Sequence, residues 1–158
     1  MDLRGPYKPT LKGNRYWMMI VDDFSQIKSS KFIKYKSDLK KELCDHIELL
    51  NKNNKKVKYV RMDNEGENIH DTIRALQMLN IKVELTPPHS PQYNGVVERH
   101  FAIDREKYQE MLIGDNLKKK IGEVLWAESI STNEKIINAS MSKTNMNNSP
   151  YETYHGEK

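Results

Sequence analysis

The chain has 158 residues, 30% of them charged and 37% hydrophobic, with a net charge of +4. That length suits one domain with room for a real core, and the apolar share is too high for a disordered chain. The basic balance permits a polyanionic partner, although a solvated lysine-rich surface would give the same figure.

The only cysteine, Cys44, excludes a disulfide framework and a cysteine-based zinc site within the chain. Read as a buried or half-buried thiol on a helix, it points to a reducing compartment. No apolar run approaches about 20 residues, so no membrane span is expected. The opening Met1-Asp2-Leu3-Arg4-Gly5-Pro6 does not have the form of a signal peptide. The expectation is therefore an intracellular protein, neither secreted nor membrane-bound.

Asp2 lies on a short opening strand. Gly13-Asn14 is a turn signal, and Arg15 to Asp22 reads as a central strand of aromatic and branched residues. An outer strand is predicted over Lys31 to Lys36. Ser37-Asp38 opens a helix with Leu39, Leu43, Ile47 and Leu50 on one side. The lysine and asparagine run from Asn51 to Lys56 ends it, and Val57 to Met62 forms the strand that Asp63 closes. A short helix is predicted from about Ile69 to Leu79, stopped by Asn80, then a strand over Ile81 to Leu85. Three prolines between Thr86 and Pro91 exclude regular structure and leave an exposed loop. A long helix from about Asn94 to Ile113 carries Val97, Phe101, Tyr108 and Leu112 along one side, and Gly114-Asp115-Asn116 breaks it. The last helix is predicted over about Leu117 to Ala139, with a polar tail from Ser140 until Pro150-Tyr151. Three meandering strands followed by alternating elements define an α/β class, a mixed sheet with helices packed against it. There is no internal repeat and no second domain.

Three carboxylates stand out: Asp2, Asp63 and Glu98, each at a strand end or a helix start. Gathered at one end of a sheet, they would form an oxygen cage for hard divalent cations, the arrangement used in two-metal phosphoryl transfer. Two carboxylates about 4 Å apart repel by roughly 4 kcal/mol at an effective dielectric near 20, so such a group favours a cation or raised pKa values. Asp22 and Asp23 are a rival pair, better explained as caps of the turn into Phe24-Ser25. His46, His70 and His89 have no metal-ligand spacing. Trp17 and Trp126 read as core aromatics, and Lys118-Lys119-Lys120 as a solvated face.

Several segments resemble the integrase catalytic core of copia-type retrotransposons, within the retroviral integrase superfamily. They are Asp2-Leu3-x-Gly5-Pro6, Val21-Asp22-Asp23-Phe24-Ser25, Met62-Asp63-Asn64-x-Gly66-Glu67, and Thr86-x-Pro88-x-Ser90-Pro91-Gln92-x-Asn94-Gly95-Val96-Val97-Glu98-Arg99. Leu125-Trp126-Ala127-Glu128 and Ser149-Pro150-Tyr151-Glu152-x-x-x-His155-Gly156 are also similar. The stretch from Pro88 to Arg99 is the most specific, and the segments run collinearly over nearly the whole chain. At Phe101 and Ala102 this chain departs from the polar and basic residues the family usually carries.

The resemblance implies a ribonuclease H-like fold, a mixed five-stranded sheet flanked by helices. It implies a catalytic core over residues 1–139 with a polar C-terminal extension over 140–158. Asp2, Asp63 and Glu98 become the catalytic triad and the ligands of two Mg2+ or Mn2+ ions. Pro87 to Asn94 becomes the loop beside the active site, with Gln92, Tyr93 and Asn94 placed for DNA. Arg105, two helical turns after Glu98, is a further phosphate contact. The implied activity is DNA 3′-end processing and strand transfer, on element ends and target DNA. A homodimer and a nuclear location follow by the same resemblance. An intact integrase would add an N-terminal zinc module and a longer C-terminal region, so the chain reads as a core fragment. The rivals are a catalytically inactive retrotransposon remnant that keeps nucleic-acid binding or self-association, and a ribonuclease of the same fold using Glu128 or Glu134 as a further acid.

Overall fold

The computed structural model describes residues 1–63, 69–86, 95–114, 122–141, 145 and 147–156. Strands β1 (Asp2–Arg4), β2 (Tyr16–Val21) and β3 (Lys28–Ile33) form an antiparallel meander. Its register pairs Asp2 with Met19, Arg4 with Trp17, and Trp17 with Phe32. A 3-10 turn over Lys36–Asp38 leads into α1 (Leu39–Lys52). Strands β4 (Tyr59–Asp63) and β5 (Lys82–Thr86) pair in parallel, joined through α2 (Ile69–Met78). Helices α3 (Gly95–Gly114), α4 (Trp126–Ala139) and α5 (Pro150–His155) complete the described elements.

β2 explains the layering. Side chains alternate along a strand, and Met18 enters a core cluster with Leu43 and Ile47 of α1, Val60 and Met62 of β4, and Leu76 of α2. Trp17 and Met19 enter a second cluster with Val97 and Phe101 of α3 and Trp126 and Ile130 of α4. Helices therefore cover both faces, which is why β2 is apolar throughout rather than alternating.

The mixed α/β architecture matches expectation, but the single five-stranded sheet does not emerge as one ladder. Among the described residues the five strands fall into a three-stranded and a two-stranded sheet. β1 is only three residues long, too short for a full ladder with β4. The Met1 amino group spans the seam, donating to the Arg61 carbonyl at 2.6 Å.

Two element boundaries also moved. β3 begins at Lys28 instead of Lys31. The connection before it is compact: the Asp22 amide donates to Ile27 O at 3.0 Å, Gln26 N donates back to Asp22 O at 2.8 Å, and Gln26 takes φ 61°. The apolar weight of Phe32, Ile33 and Tyr35 had drawn the expected strand too late. The last long helix starts at Trp126, not Leu117; residues 115–121 lie outside the described set, and 123–124 form a turn. The Trp126 indole fixes that start by donating to Lys8 O at 2.8 Å. The tail holds a helix that composition did not reveal. Ser149 accepts from the Glu152 amide at 3.1 Å, the Glu152 carboxylate accepts from Ser149 N at 2.7 Å, and Pro150 occupies the first turn. No helix among the described residues is long and apolar enough to cross a membrane.

Candidate active site

Val60 and Met62 point into the cluster under α1 and α2, so alternation turns Asp63 toward the opposite face. Asp2 pairs with Met19, whose side chain lies in the cluster beneath α3; directly paired residues share a face, so Asp2 points the same way. The two acids thus occupy the α3 side of β1 and β4. Burial pushes the Asp2 carboxyl above the usual carboxylate range, and the negative charge of Asp63 adds to the rise. The Leu3 amide, donating to Asp2 Oδ1 at 2.7 Å, and the Arg4 guanidinium, 3.8 Å from Oδ2, oppose it in part.

Glu98 stands half-buried on the first turn of α3. Three residues on, and so on a neighbouring strip of the helix, the Phe101 ring lies 4.4 Å below the Arg4 guanidinium. Arg4 therefore bridges β1 and α3 beside Asp2. Tyr7 belongs to the same group. Burial raises its hydroxyl pKa and Tyr108 and Asp2 add to the rise, while Arg4 and Arg105 act against it. Arg105 is exposed, free to meet an anion from solvent. Gln92, Tyr93 and Asn94 lie outside the described residues. Sequence reasoning missed Arg4 and Tyr7; a guanidinium two residues after Asp2, on the same face of the strand, was the available signal.

Asp2 and Asp63 have the oxygen chemistry a hard divalent cation needs, and the mutual charge that one would relieve. Glu98 is not gathered with them: among the described residues no three His, Cys, Asp or Glu side chains are grouped closely enough to hold a metal ion. The expected three-acid cage is thus represented by a pair and a third acid standing off on α3.

The remaining candidates resolve simply. Asp22 Oδ2 accepts from Ser25 N at 2.8 Å and from Ser25 Oγ at 2.7 Å, the expected turn cap. Trp17 and Trp126 are buried. His70 is exposed, and His46 is half-buried on α1. Glu128 is exposed, and Glu134 is turned to Ser30 of β3, its carboxyl pushed up by burial.

A second polar group, unforeseen from sequence, lies between β3, α3 and α4. The Lys28 ammonium, with its side chain 1% exposed, donates to both Asp104 carboxylate oxygens at 2.9 and 3.1 Å. Asn133 Nδ2 donates to Asp104 Oδ1 at 2.9 Å. Asn138 takes the Lys28 amide at 3.0 Å and returns a bond to the Lys28 carbonyl at 2.9 Å. Burial raises the Asp104 pKa, and Lys28 offsets part of the rise.

No family model matches the chain. It is 30% identical over 144 residues to the retrovirus-related Pol polyprotein from transposon TNT 1-94 of Nicotiana tabacum, a match that spans 89% of this chain and 10% of that polyprotein. Among solved structures, it resembles a chain of the simian T-cell lymphotropic virus intasome determined in complex with PP2A regulatory subunit B56 gamma. That likeness has a TM-score of 0.71 at 20% identity, covering 98% of this chain and 54% of the other. The HTLV-2 integrase catalytic core domain in complex with magnesium gives 0.65 at 16% identity, with 98% and 94% covered. The BIV integrase catalytic core domain gives 0.62 at 20%, with 98% and 92% covered. The chain thus has the fold of retroviral integrase catalytic cores and is similar in sequence to one tenth of a retrotransposon Pol polyprotein.

Proposed function

We propose that this core is a divalent-metal-dependent polynucleotidyl transferase that processes DNA 3′ ends and joins them to target DNA. One observation carries the reading: Asp2 and Asp63 face the α3 side of β1 and β4, with Glu98 on the first turn of that helix. Asp2, Asp63 and Glu98 are the ligands, the first two offered by β1 and β4 and the third by α3. Held by these three carboxylates, two Mg2+ or Mn2+ ions would supply Lewis acidity for displacement at a phosphodiester. Arg105 receives a backbone phosphate of the DNA, while Gln92, Tyr93 and Asn94 complete the DNA contact. Arg4, held over Phe101, keeps a positive charge beside Asp2, where phosphate charge develops. The same reading takes β1 and β4 as neighbours in one five-stranded, ribonuclease H-like sheet. It also takes residues 1–139 as the core with 140–158 as its extension, a homodimer as the working unit, and the nucleus as the place of action.

Manganese titration by calorimetry tests the assignment. Wild type should bind, Asp63→Asn should lose binding, and Glu98→Gln should abolish metal-dependent strand transfer. Wild type that binds no manganese would refute it. A second reading, a remnant that keeps nucleic-acid binding without catalysis, is favoured by the standing-off of Glu98 and by the engagement of both Asp2 oxygens with Leu3 and Arg4. It predicts DNA retention with no manganese-dependent joining.

A further inference from the structure

The geometry points to Lys28 and Asp104 as positioning residues that set the roll of α3 and hence the placement of Glu98. The inference rests on the phosphoryl-transfer reading for its consequence, but its physical content is the clamp itself. A buried ion pair is weak grounds for stability, because the desolvation of both charges offsets most of their attraction and an apolar pair of similar volume serves as well. What a charge-assisted, two-pronged contact adds is direction. The other inward residues of α3 before Asp104, Val97 and Phe101, are buried against Trp17 and Met19. Their contacts are largely non-directional and tolerate a small roll.

The clamp does not tolerate it. Lys28 bonds both Asp104 oxygens, Asn133 holds one of them from α4, and Asn138, on the same helix, grips both backbone groups of Lys28. The four residues close a ring through β3, α3 and α4, so α3 is indexed against two elements at once. Glu98 lies six residues before Asp104, about 9 Å along the axis, and its carboxylate rides about 5–6 Å from it. A roll of about 20° moves that carboxylate by about 2 Å, whereas metal-ligand distances hold to within about 0.2 Å. A device that fixes roll therefore decides whether Glu98 can join Asp2 and Asp63.

The test replaces the pair by apolar isosteres, Lys28→Met with Asp104→Leu, in a chain carrying Cys44→Ser. Spin labels on cysteines placed at the exposed positions 102 and 82 report the distance from α3 to β5. The double variant should keep its circular dichroism spectrum and cooperative melting. Its distance distribution should broaden about twofold or shift, and kcat for manganese-dependent strand transfer should fall about tenfold to a hundredfold, with KM for DNA changed less than about twofold. Lys28→Arg, which keeps a two-pronged cation opposite Asp104, should restore the narrow distribution. If the double variant fails to fold, Asn133→Ala, which removes one arm of the ring and leaves the ion pair, takes its place with the same readouts. An unchanged distance distribution would overturn the clamp. A broadened one with kcat intact would overturn the positioning role. A wild type without any joining activity would count against the enzymatic reading alone, since the distance measurement stands apart from it.

Discussion

Phe101 sits where the second core cluster meets the candidate active site, so replacing it tests both. It is 1% exposed, its ring meets Trp17 edge-on at 4.5 Å between centroids, and Arg4 lies 4.4 Å above it. Phe101→Leu keeps most of the apolar volume. It removes an edge-to-face pair worth about 0.5–1.5 kcal/mol and a cation–π contact worth about 0.5–1 kcal/mol where the cation is partly solvated. The expected cost is about 1–2.5 kcal/mol, against about 3–5 kcal/mol for Phe101→Ala, which also opens a cavity. With a urea m-value of about 2 kcal/mol/M, the midpoint should fall by about 0.5–1.25 M for leucine and about 1.5–2.5 M for alanine. Arg4→Met combined with Phe101→Leu isolates the ring–cation contact, and a coupling of about 0.5–1 kcal/mol is expected. Released from the ring, Arg4 should close on Asp2 and lower its raised pKa. Leucine within about 0.3 kcal/mol of wild type, together with zero coupling, would show that the ring is only filling space.

Asp63→Asn removes a negative charge that raises Asp2, so the Asp2 pKa, followed by carboxyl carbon NMR, should fall; an unchanged value would mean that the two acids are not neighbours. Burial, with Lys28 and Arg99 nearby, holds His100 down to about 4 from 6.5. A depressed histidine favours the folded state above its unfolded value, so this contribution is present above pH 6.5 and is lost as the pH falls toward 4. Urea midpoints measured from pH 7 to 4 should drop more steeply for wild type than for His100→Gln, and parallel curves would refute the assignment. Gly5 takes φ +140°, and a Cβ there would lie 2.6 Å from the Arg15 carbonyl and 2.8 Å from the Tyr16 ring. Gly5→Ala should therefore cost about 2–3 kcal/mol, or about 5–10 °C in Tm for a chain of this size. A melting point within a degree or two of wild type would contradict the crowding.

Much of the fold was legible because β2 and the helices carry strong periodic signals. The run from Tyr16 to Val21 is apolar on both faces because both faces are covered. The stripe of Leu43 and Ile47 points α1 at the sheet, and α2 and α3 fall close to their expected spans. β3 was misplaced because its sequence, Lys-Ser-Ser-Lys-Phe-Ile, hides its pairing in polar residues. Ser30 is spoken for by the Trp17 indole at 3.0 Å and Lys28 by Asp104, partners that no local window contains. The C-terminal helix was missed for the opposite reason: its signal is local but brief, a capping serine, a proline and a glutamate ahead of an αL glycine.

The candidate acids could be picked out of the sequence, but the residues that surround them could not. Asp2 and Asp63 announce themselves by lying at strand ends, but what governs Glu98 is written further along its helix. Val97, Phe101 and Tyr108 were read as a stripe of apolar and aromatic residues, and Asp104 falls inside that stripe with a side chain 3% exposed. A carboxylate at an inward position cannot stay uncompensated, so its presence there already demanded a buried cation from another element. The choice of partner was not local: Lys28 is one lysine among many, and only its register opposite Val21, at the start of β3, brings it under α3. An acid interrupting an apolar stripe therefore predicts that a cation is buried nearby, while sheet register decides which one. In this chain that decision ties the roll of the helix bearing Glu98 to a lysine 70 residues earlier in the sequence.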